Sequence, residues 1–340
     1  MRIDAYSPTI RRKEMDAVLT AMVQEHVGPG EQSQKLIQTA KEYLEFDYCL
    51  ALRSPVNAIM TALLAMDLPE KSEILISALS PAYYVNAIND LSLIPICCDV
   101  DELSGNLTVE SVKQKLTSET RALIAHHSLG YVTDTPQLLE LGLPLVEDCS
   151  KSFGAHWGGE RTGSFGHFTI LGLEERDVLT AGGGALVYAM GRREGTVLRR
   201  YSDLYPEYRL PDLNAALAIV QFREAERNYT IRKEIATVYA QTSLRTRHKT
   251  FIQNGESEYN NYTYPIILET GLKDVRAYAA KKEVELASAF EDSVISRRPE
   301  MVQSCPVAAS LALRTVLVPL YPRLGKTQVL KVAKVLATLP

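Results

Sequence analysis

The side chains best suited to chemistry lie at the ends of short apolar runs. His126 and His127 end one run, Asp148 ends another, and Lys151 follows Asp148 by three residues. Arg176 lies between two later runs. Imidazole, carboxylate, amine and guanidinium groups can act as acids, bases and anion-binding groups, so these five residues are candidates for a functional site.

The histidines and cysteines do not form a metal-binding pattern. Adjacent residues of a strand face opposite sides of a sheet, so His126 and His127 cannot bind one metal ion together. The five cysteines are scattered without a C-x-x-C spacing, and their odd number argues against a disulfide framework. We therefore predict free thiols and no metal site.

Seven short apolar runs alternate with helix-like amphipathic segments. Runs without polar alternation are typical of strands that are buried on both faces of a parallel sheet. The runs are Tyr48–Leu52, Glu73–Ser77, Ile94–Cys98, Ala122–Ala125, Leu143–Val146, Phe168–Leu171 and Ala185–Tyr188. This pattern predicts an α/β fold, in which a ligand binds beyond the carboxyl ends of the strands.

The length and one long segment predict two domains. The chain has 340 residues, which is more than one typical core requires. From Pro211 to about Ser243 an amphipathic segment contains no helix breaker, so we expect one continuous helix that leaves the large domain. We predict a large domain over residues 1–243, with the N-terminal segment and this connector helix, and a small α+β domain over residues 244–340.

The charge composition excludes some partners. With 37 basic and 41 acidic residues the net charge is −4, and no basic block stands apart from neighbouring acids. Nucleic acid and anionic membranes are therefore not expected partners. No apolar run approaches the roughly 20 residues that span a bilayer, and the N-terminus has no apolar signal core. We expect a cytoplasmic protein.

The order of motifs resembles that of the DegT/StrS family of nucleotide-sugar aminotransferases, which use pyridoxal phosphate (PLP). The motifs that carry the resemblance are Gly28–Gly30, Gly130–Asp134, Val146–Lys151, Gly163–Gly166, Ala181–Ala185 and Tyr208–Leu217. The resemblance implies a fold-type-I architecture with a mostly parallel seven-stranded sheet flanked by helices and a small C-terminal domain. It also implies a homodimer whose active sites lie at the subunit interface.

The resemblance implies that the aspartate contact to the cofactor is kept and that the Schiff-base lysine is replaced. Asp148 falls where the family's aspartate pairs with the pyridine nitrogen. The family's Schiff-base lysine aligns with Arg176, or with Asp177 if a one-residue gap is placed differently. No lysine occurs from Ser152 to Arg232, and arginine stays protonated and forms no stable Schiff base.

The phosphate contacts that the resemblance implies are also altered. The family's Ser-Gly-Thr helix start reads Ser54, Pro55 and Val56, and proline offers an anion no amide donor. The serine that precedes the family's lysine falls on Leu171. The asparagine that reaches the phosphate from the partner subunit falls on Glu207, whose carboxylate would repel a phosphate.

The contacts to the cofactor ring differ as well. The family's stacking aromatic falls on Pro81, although Tyr83 and Tyr84 are near enough to supply a ring from a shifted helix. The glutamine that contacts the cofactor's phenolic oxygen falls on Lys151. A relocated Schiff-base lysine at Lys151 is one interpretation. The other is that Lys151, Arg176 or both pair with Asp148 in the volume that PLP would fill.

These changes lead us to expect no bound cofactor. The leading hypothesis is a PLP-free homologue, a pseudoenzyme that acts as a binding or regulatory subunit. It would be a homodimer, or a heterodimer with an active paralogue, and would bind a small molecule or nucleotide sugar in polysaccharide biosynthesis. Two alternatives stay open: a PLP-dependent aminotransferase with unusual cofactor anchorage, and a different enzyme that uses the remodelled site.

Overall fold

The structure is a computed structural model that describes residues 2–253 and 255–340, apart from the side chain of residue 302. Its first elements, in chain order, are α1 (Arg12–Val23), α2 (Glu31–Leu44), β1 (Tyr48–Leu52), α3 (Pro55–Ala65), β2 (Glu73–Ser77), α4 (Tyr83–Asp90), β3 (Ile94–Cys98), α5 (Val109–Lys113), β4 (Thr120–His126), α6 (Thr135–Leu139), β5 (Leu145–Asp148), β6 (His156–Trp157), β7 (Glu160–Arg161), β8 (Phe168–Gly172), β9 (Ala185–Ala189), α7 (Arg192–Leu198) and α8 (Asp212–Arg223). The later elements are α9 (Ala225–Ser243), β10 (Ser257–Glu258), β11 (Tyr264–Ile267), α10 (Leu272–Lys281), β12 (Ala287–Ser288), α11 (Val294–Arg297), α12 (Pro306–Arg314), β13 (Thr315–Val318) and α13 (Lys326–Leu336).

The central sheet has seven strands in the order β1, β9, β8, β5, β4, β2, β3. The pairs from β8 through β3 are parallel, and β9 is antiparallel to both β8 and β1. Each of the seven apolar runs contributes one strand, and three of the runs have the same bounds as their strands. The predicted α/β fold with a mostly parallel seven-stranded sheet is confirmed.

Helices pack on the sheet through apolar side chains of small or medium size. Helix α3 buries Ala58, Ile59, Ala62 and Leu63 in the same core as strand residues Ile74 and Ile124. The helix begins at Pro55 because proline suits a first helical turn, and the side chain of Ser54 caps it. Among the described residues, no helix is both long and apolar enough to cross a lipid bilayer.

The expected single helix from Pro211 to Ser243 is wrong, because the segment forms two helices. The interruption falls at Glu224, whose backbone φ and ψ are −94° and 1°. The Glu224 carboxylate accepts hydrogen bonds from Lys13 Nζ at 2.5 Å and from Arg227 Nη1 at 3.1 Å. The break between α8 and α9 therefore coincides with a contact to α1, which is distant in the sequence. No glycine or proline lies at the break, so the sequence contains no local signal for it.

A second apolar core surrounds a three-stranded antiparallel sheet of β11, β13 and β12. It is formed mainly by residues after 263, and it also contains Ile3 from the N-terminus and Tyr239 from α9. Residues of α11 and α12, such as Val294 and Leu311, pack instead in the core of the central sheet. The division between residues 243 and 244 stays a prediction.

A buried carboxylate holds the loop that follows β7 against β5. Glu147 is fully buried and accepts hydrogen bonds from the backbone N–H groups of Gly163, Phe165 and Gly166 at 2.8 to 3.1 Å. It also lies 3.1 Å from Nε2 of His127. Since Nδ1 of His127 accepts the N–H of Thr133, Nε2 carries the proton and donates it to Glu147. This network orders two loops beside the end of β5.

Replacing Glu147 with glutamine should destabilise the fold. The amide nitrogen of Glu147→Gln would face backbone N–H donors, which would lose their acceptor in a buried site. We expect the free energy of unfolding to fall by about 2 to 4 kcal/mol. Urea denaturation measures this loss, and Glu70→Gln, an exposed change with the same loss of charge, should alter stability little. Equal stability of the two variants would contradict the structural role of Glu147.

Candidate functional site

The register of the sheet brings the ends of β4 and β5 together. His126 and Asp148 are direct neighbours on the two parallel strands, so their side chains lie on the same face of the sheet. His127 and Glu147 lie on the opposite face. Asp148 and His126 are both buried, and both are the last residues of their strands. The candidate site therefore begins at this edge of the sheet.

Hydrogen bonds fix both oxygens of the Asp148 carboxylate. Oδ1 accepts the N–H of Ser150 at 2.9 Å and its hydroxyl at 2.5 Å, and Oδ2 accepts the hydroxyl of Tyr84. The Ser150 hydroxyl also accepts the N–H of Gly172 at 2.7 Å, which ties the end of β5 to the end of β8. Burial, followed by the charge of Asp148, raises the pKa of the Tyr84 hydroxyl, which therefore stays protonated as a donor.

Lys151 reaches the segment that follows β8. Its Nζ lies 2.8 Å from Oδ1 of the buried Asp177 and also donates to the backbone carbonyl of Arg176. Burial raises the pKa of the Asp177 carboxyl, and the positive charge of Lys151 opposes this increase. The other oxygen of Asp177 accepts the N–H of Glu174 at 2.8 Å. The lysine and the aspartate thus form a partly enclosed ion pair.

The expected pairing of Lys151 or Arg176 with Asp148 is wrong. Lys151 pairs with Asp177, and the Arg176 side chain turns outward to Glu291, 2.8 Å away, with about half of its area exposed. Within the described part of the chain, no ion pair within 4.0 Å involves Asp148. The reason is that Tyr84 and Ser150 already supply the donors that a buried carboxylate requires.

The positions that align with the family's phosphate contacts are spread over three settings. The Ser54 hydroxyl accepts the N–H of Asn57 at 3.2 Å and is thereby used as the cap of α3, which begins with Pro55 and Val56. Leu171 is fully buried in an apolar core, and Glu207 is exposed on a short turn. The segments that carry Ser54 and Glu207 are neighbours, because the N–H of Arg53 donates to the carbonyl of Tyr208 at 2.9 Å.

The aromatic candidates lie on α4 and on the turn before it. Pro81 bridges to Ser293 and does not present a ring to the site. The ring of Tyr83 meets the ring of Tyr84 edge to face, with centroids 5.2 Å apart. The ring of Tyr84 lies in turn edge to face with His126, at 6.1 Å. The two tyrosines and the histidine therefore form one wall beside Asp148.

His126 is neutral in this setting. Burial lowers the pKa of His126 to about 3, and the positive charge of Lys151 acts in the same direction. Its Nδ1 atom is buried and has no hydrogen-bond partner among the residues that the structure describes. A buried polar atom without a partner is costly, so a ligand that forms a hydrogen bond with this atom would stabilise the site.

Several residues of the site escaped the sequence analysis. Ser150 lies two residues after Asp148, and this Asp-x-Ser spacing is a local hydrogen-bonding signal that could have been used. Tyr6, Arg232 and Tyr262 lie far away in the sequence and gave no local signal. The Tyr262 hydroxyl donates to the carbonyl of Arg176, and the Tyr6 hydroxyl donates to the neighbouring carbonyl of residue 175.

Comparisons with known proteins agree on the family. Residues 8–337 match the DegT/DnrJ/EryC1/StrS aminotransferase family. The chain is 25% identical to GDP-perosamine synthase of Escherichia coli O157:H7, over 98% of this chain and 97% of that protein. It is 23% identical to the UDP-N-acetyl-3-dehydro-alpha-D-glucosamine 3-aminotransferase of Acidithiobacillus ferrooxidans, over 83% of this chain and 82% of that protein.

Solved structures share the fold over the whole chain. The putative sugar aminotransferase Spr1654 of Streptococcus pneumoniae superimposes in its PLP form with a TM-score of 0.91 and 16% identity, over 100% of this chain and 98% of that chain. Its PMP form gives the same values. DesV of S. venezuelae, solved with a ketimine intermediate, gives a TM-score of 0.85 and 18% identity, over 95% of this chain and 93% of that chain.

These findings correct the expectation of a protein without a cofactor. The chain matches an aminotransferase family, and solved structures that share its fold include a PLP form, a PMP form and a ketimine complex, so the expected absence of PLP is contradicted. The hypothesis of a PLP-free pseudoenzyme gains no support. The alternative of an aminotransferase with unusual cofactor anchorage agrees better with these relatives.

Three observations lead to one assignment. The central sheet has seven strands and is mostly parallel, as predicted, and the candidate site lies at the carboxyl ends of β4 and β5. The family match covers nearly the whole chain, and related proteins align with it almost from end to end. The chain belongs to the DegT/DnrJ/EryC1/StrS aminotransferase family.

Proposed function

We propose that this chain is a PLP-dependent sugar aminotransferase in which Lys151 supplies the amine that binds the cofactor. The observation that carries the proposal is the position of the Lys151 ammonium group. It contacts Arg176 and Asp177, the two residues with which the family's lysine aligns. The amine of a lysine from the loop after β5 thus lies beside the segment that, in the family, contains the Schiff-base lysine.

The residues present fit the ring and aldehyde ends of PLP. Asp148 is a buried carboxylate that could pair with a protonated pyridine nitrogen, a role in which the ligand would replace or share the Tyr84 hydroxyl at Oδ2. Lys151 would hold the aldehyde carbon. When bound, PLP withdraws electrons from the carbon that carries the amino group during transfer.

The phosphate end is where this anchorage would differ from the family's. Helix α3 begins after the carboxyl end of β1, which runs in the same direction as β5, so its N-terminus lies at the same edge of the sheet as Asp148. Helix N-termini attract anions. Pro55 contributes no N–H, and Val56 has no hydroxyl where the family's motif has threonine. Fewer donors remain than in the family's Ser-Gly-Thr motif, so we expect weak binding of the phosphate group.

Asp177 would accept the proton of the Lys151 ammonium group and return it. An amine must lose its proton before it can act as a nucleophile. Asp177 Oδ1 lies 2.8 Å from Nζ and can receive that proton, because burial raises the pKa of its carboxyl. The two groups could then exchange one proton along a single hydrogen bond without the help of water.

The substrate class is proposed from the relatives. A GDP-perosamine synthase and a UDP-sugar 3-aminotransferase are among the proteins that this chain resembles over most of its length. We propose a nucleotide-linked keto sugar as acceptor of the amino group. The homodimer that the resemblance implies is also a proposal, which sedimentation velocity of the purified protein would test.

Chemical labelling tests the role of Lys151. The protein is incubated with PLP, reduced with borohydride and digested, and the modified lysine is located by mass spectrometry. We expect the label on Lys151, and we expect Lys151→Arg to lower total labelling at least about tenfold, since guanidinium forms no stable bond with the aldehyde.

A matched control separates this result from general lysine reactivity. Lys35 pairs with Glu31 at the same 2.8 Å distance on the surface, so Lys35→Arg removes an amine from a similar ion pair outside the site. This variant should be labelled like the wild type. Equal labelling of Lys151→Arg and the wild type, or a label spread over surface lysines, would refute the proposal.

The neutral state of His126 predicts a dependence of stability on pH. The unfolded chain binds a proton at His126 with a pKa near 6.5, whereas the folded protein does so only near pH 3. Stability is therefore full above about pH 6.5 and falls as the pH decreases. Between about pH 7.5 and about pH 5.5 this residue should cost about 1.4 kcal/mol of stability.

Denaturation by urea at the two pH values measures this cost. His126→Asn should lose about 1.4 kcal/mol less than the wild type over that interval, because asparagine does not titrate. The exposed His26 offers a control, and His26→Asn should keep the slope of the wild type. Parallel slopes for the wild type and His126→Asn would show that His126 is not held neutral.

A further inference from the structure

A buried histidine beside Asp148 leaves a ring nitrogen without a partner. His126 is only 5% exposed, and its Nδ1 atom forms no hydrogen bond with any residue that the structure describes. A buried imidazole nitrogen normally has a partner, whether it donates or accepts. The adjacent His127 follows this rule, because Glu147 and Thr133 engage its two ring nitrogens. His126 therefore has a hydrogen-bonding position that the described part of the chain does not use.

His126 lies on the face of the sheet where the candidate site begins. It pairs in register with Asp148, and neighbouring strands lie about 4.8 Å apart, so the imidazole and the carboxylate lie side by side. The Tyr84 side chain covers both groups. Its hydroxyl donates to Asp148 Oδ2, and its ring lies edge to face with the imidazole, with centroids 6.1 Å apart. A ligand that takes the place of the Tyr84 hydroxyl at Asp148 would therefore reach His126 as well.

The two sides of Asp148 offer different groups to a ligand. Strand β5 lies between β8 and β4 in the sheet. Helix α3 covers the face that bears Asp148, because Ile59 shares a core with Val146, which lies two residues before Asp148. This helix packs mainly against β8 and β9, so its N-terminus lies on the β8 side, whereas His126 lies on the β4 side. A ligand at Asp148 would thus have a helix N-terminus on one side and an imidazole on the other.

We propose that His126 donates a hydrogen bond from Nδ1 to the phenolic oxygen of PLP. This inference rests on the function proposed above, in which Asp148 holds the pyridine nitrogen and the phosphate lies near α3. In the PLP ring the phenolic oxygen and the phosphate-bearing arm flank the aldehyde carbon on opposite sides. With the phosphate on the α3 side, the phenolic oxygen lies on the side of β4 and His126.

The state of the imidazole suits this contact. Because no partner fixes its tautomer, Nδ1 can carry the ring proton and donate it. Burial, together with the positive charge of Lys151, lowers the pKa of His126 to about 3, so the ring donates without a charge of its own. A phenolic oxygen that has lost its proton is an anionic acceptor, and hydrogen bonds to ionised groups are stronger than neutral ones.

Titration of the full chain with two cofactor analogues tests the contact without any reaction. Pyridoxine 5′-phosphate has an alcohol in place of the aldehyde, so it forms no covalent bond with a lysine. The analogue 3-deoxypyridoxine 5′-phosphate also lacks the phenolic oxygen. The wild type should bind the first ligand at least about tenfold more tightly than the second. His126→Leu should bind both with affinities within about twofold of each other, because leucine forms no side-chain hydrogen bond.

Two further variants separate the hydrogen bond from other effects of the substitution. His126→Asn places an amide close to the position of Nδ1, so it should recover part of the preference for the phenolic oxygen. His26→Leu removes an exposed histidine and should keep the preference of the wild type. A wild type that binds both ligands equally, or a preference that His126→Leu retains in full, would overturn the proposal.

Thermal unfolding near neutral pH gives a second readout. Because His126 leaves a buried nitrogen without a partner, ligand-free His126→Leu should melt at the temperature of the wild type or above it. Pyridoxine 5′-phosphate should raise the melting temperature of the wild type more than that of the variant. A purely structural histidine would give a variant that melts at a lower temperature and responds equally to the ligand, and this result would also overturn the proposal.

The role of His126 and the role of Lys151 can fail separately. Binding of pyridoxine 5′-phosphate without a preference, together with a borohydride label on Lys151, would refute only the contact with His126. A preference for the phenolic oxygen without a label on Lys151 would refute only the role of the lysine. If the wild type binds neither analogue and takes no label, both proposals are wrong.

Discussion

Two adjacent buried carboxylates at the end of β5 set the requirements that the neighbouring loops meet. Glu147 and Asp148 lie on opposite faces of the central sheet, and each needs donors because neither is in contact with water. Glu147 takes its donors from His127 and from the loop around Gly163, whereas Asp148 takes them from Ser150 and Tyr84. Two loops and the start of α4 are positioned in this way.

Close packing of the backbone brings the segment after β8 near the end of β5. At Gly172 a Cβ atom would meet the Ser150 hydroxyl at 2.8 Å and would collide with the Asp177 carboxylate. Glycine therefore lets the segment after β8 approach the end of β5, which brings Asp177 within reach of Lys151. In the same way Gly184, at φ +114°, packs against Leu210 and the carbonyl of Leu52. Of the three glycines from 182 to 184, Gly184 is the one that close packing requires, since a Cβ at Gly182 would meet no atom within 4 Å.

The charges near the site are not distributed as the family pattern suggested. Position 176 carries an arginine that turns outward, while an amine from the loop after β5 reaches its backbone. The expectation of a cofactor-free protein rested on comparing residues position by position. Such a comparison does not register that a side chain from a different loop can bring a similar group to the same place. The same limitation concealed the unpartnered ring nitrogen of His126, which is visible only when its neighbours are known.

The sequence alone determined the fold class, all seven strands of the central sheet, the family resemblance and the placement of Asp148, His126 and His127 at strand ends. These features are local, since apolar runs and motif order follow from neighbouring residues. The break at Glu224, the pairing of Lys151 with Asp177, the Tyr84 donor to Asp148 and the approach of Arg232 to Tyr262 were decided by the tertiary structure. The contact between Lys151 and Asp177 joins residues 26 positions apart, and the contact between Tyr84 and Asp148 joins residues 64 positions apart. Whether such side chains meet depends on how helices and loops pack around the sheet.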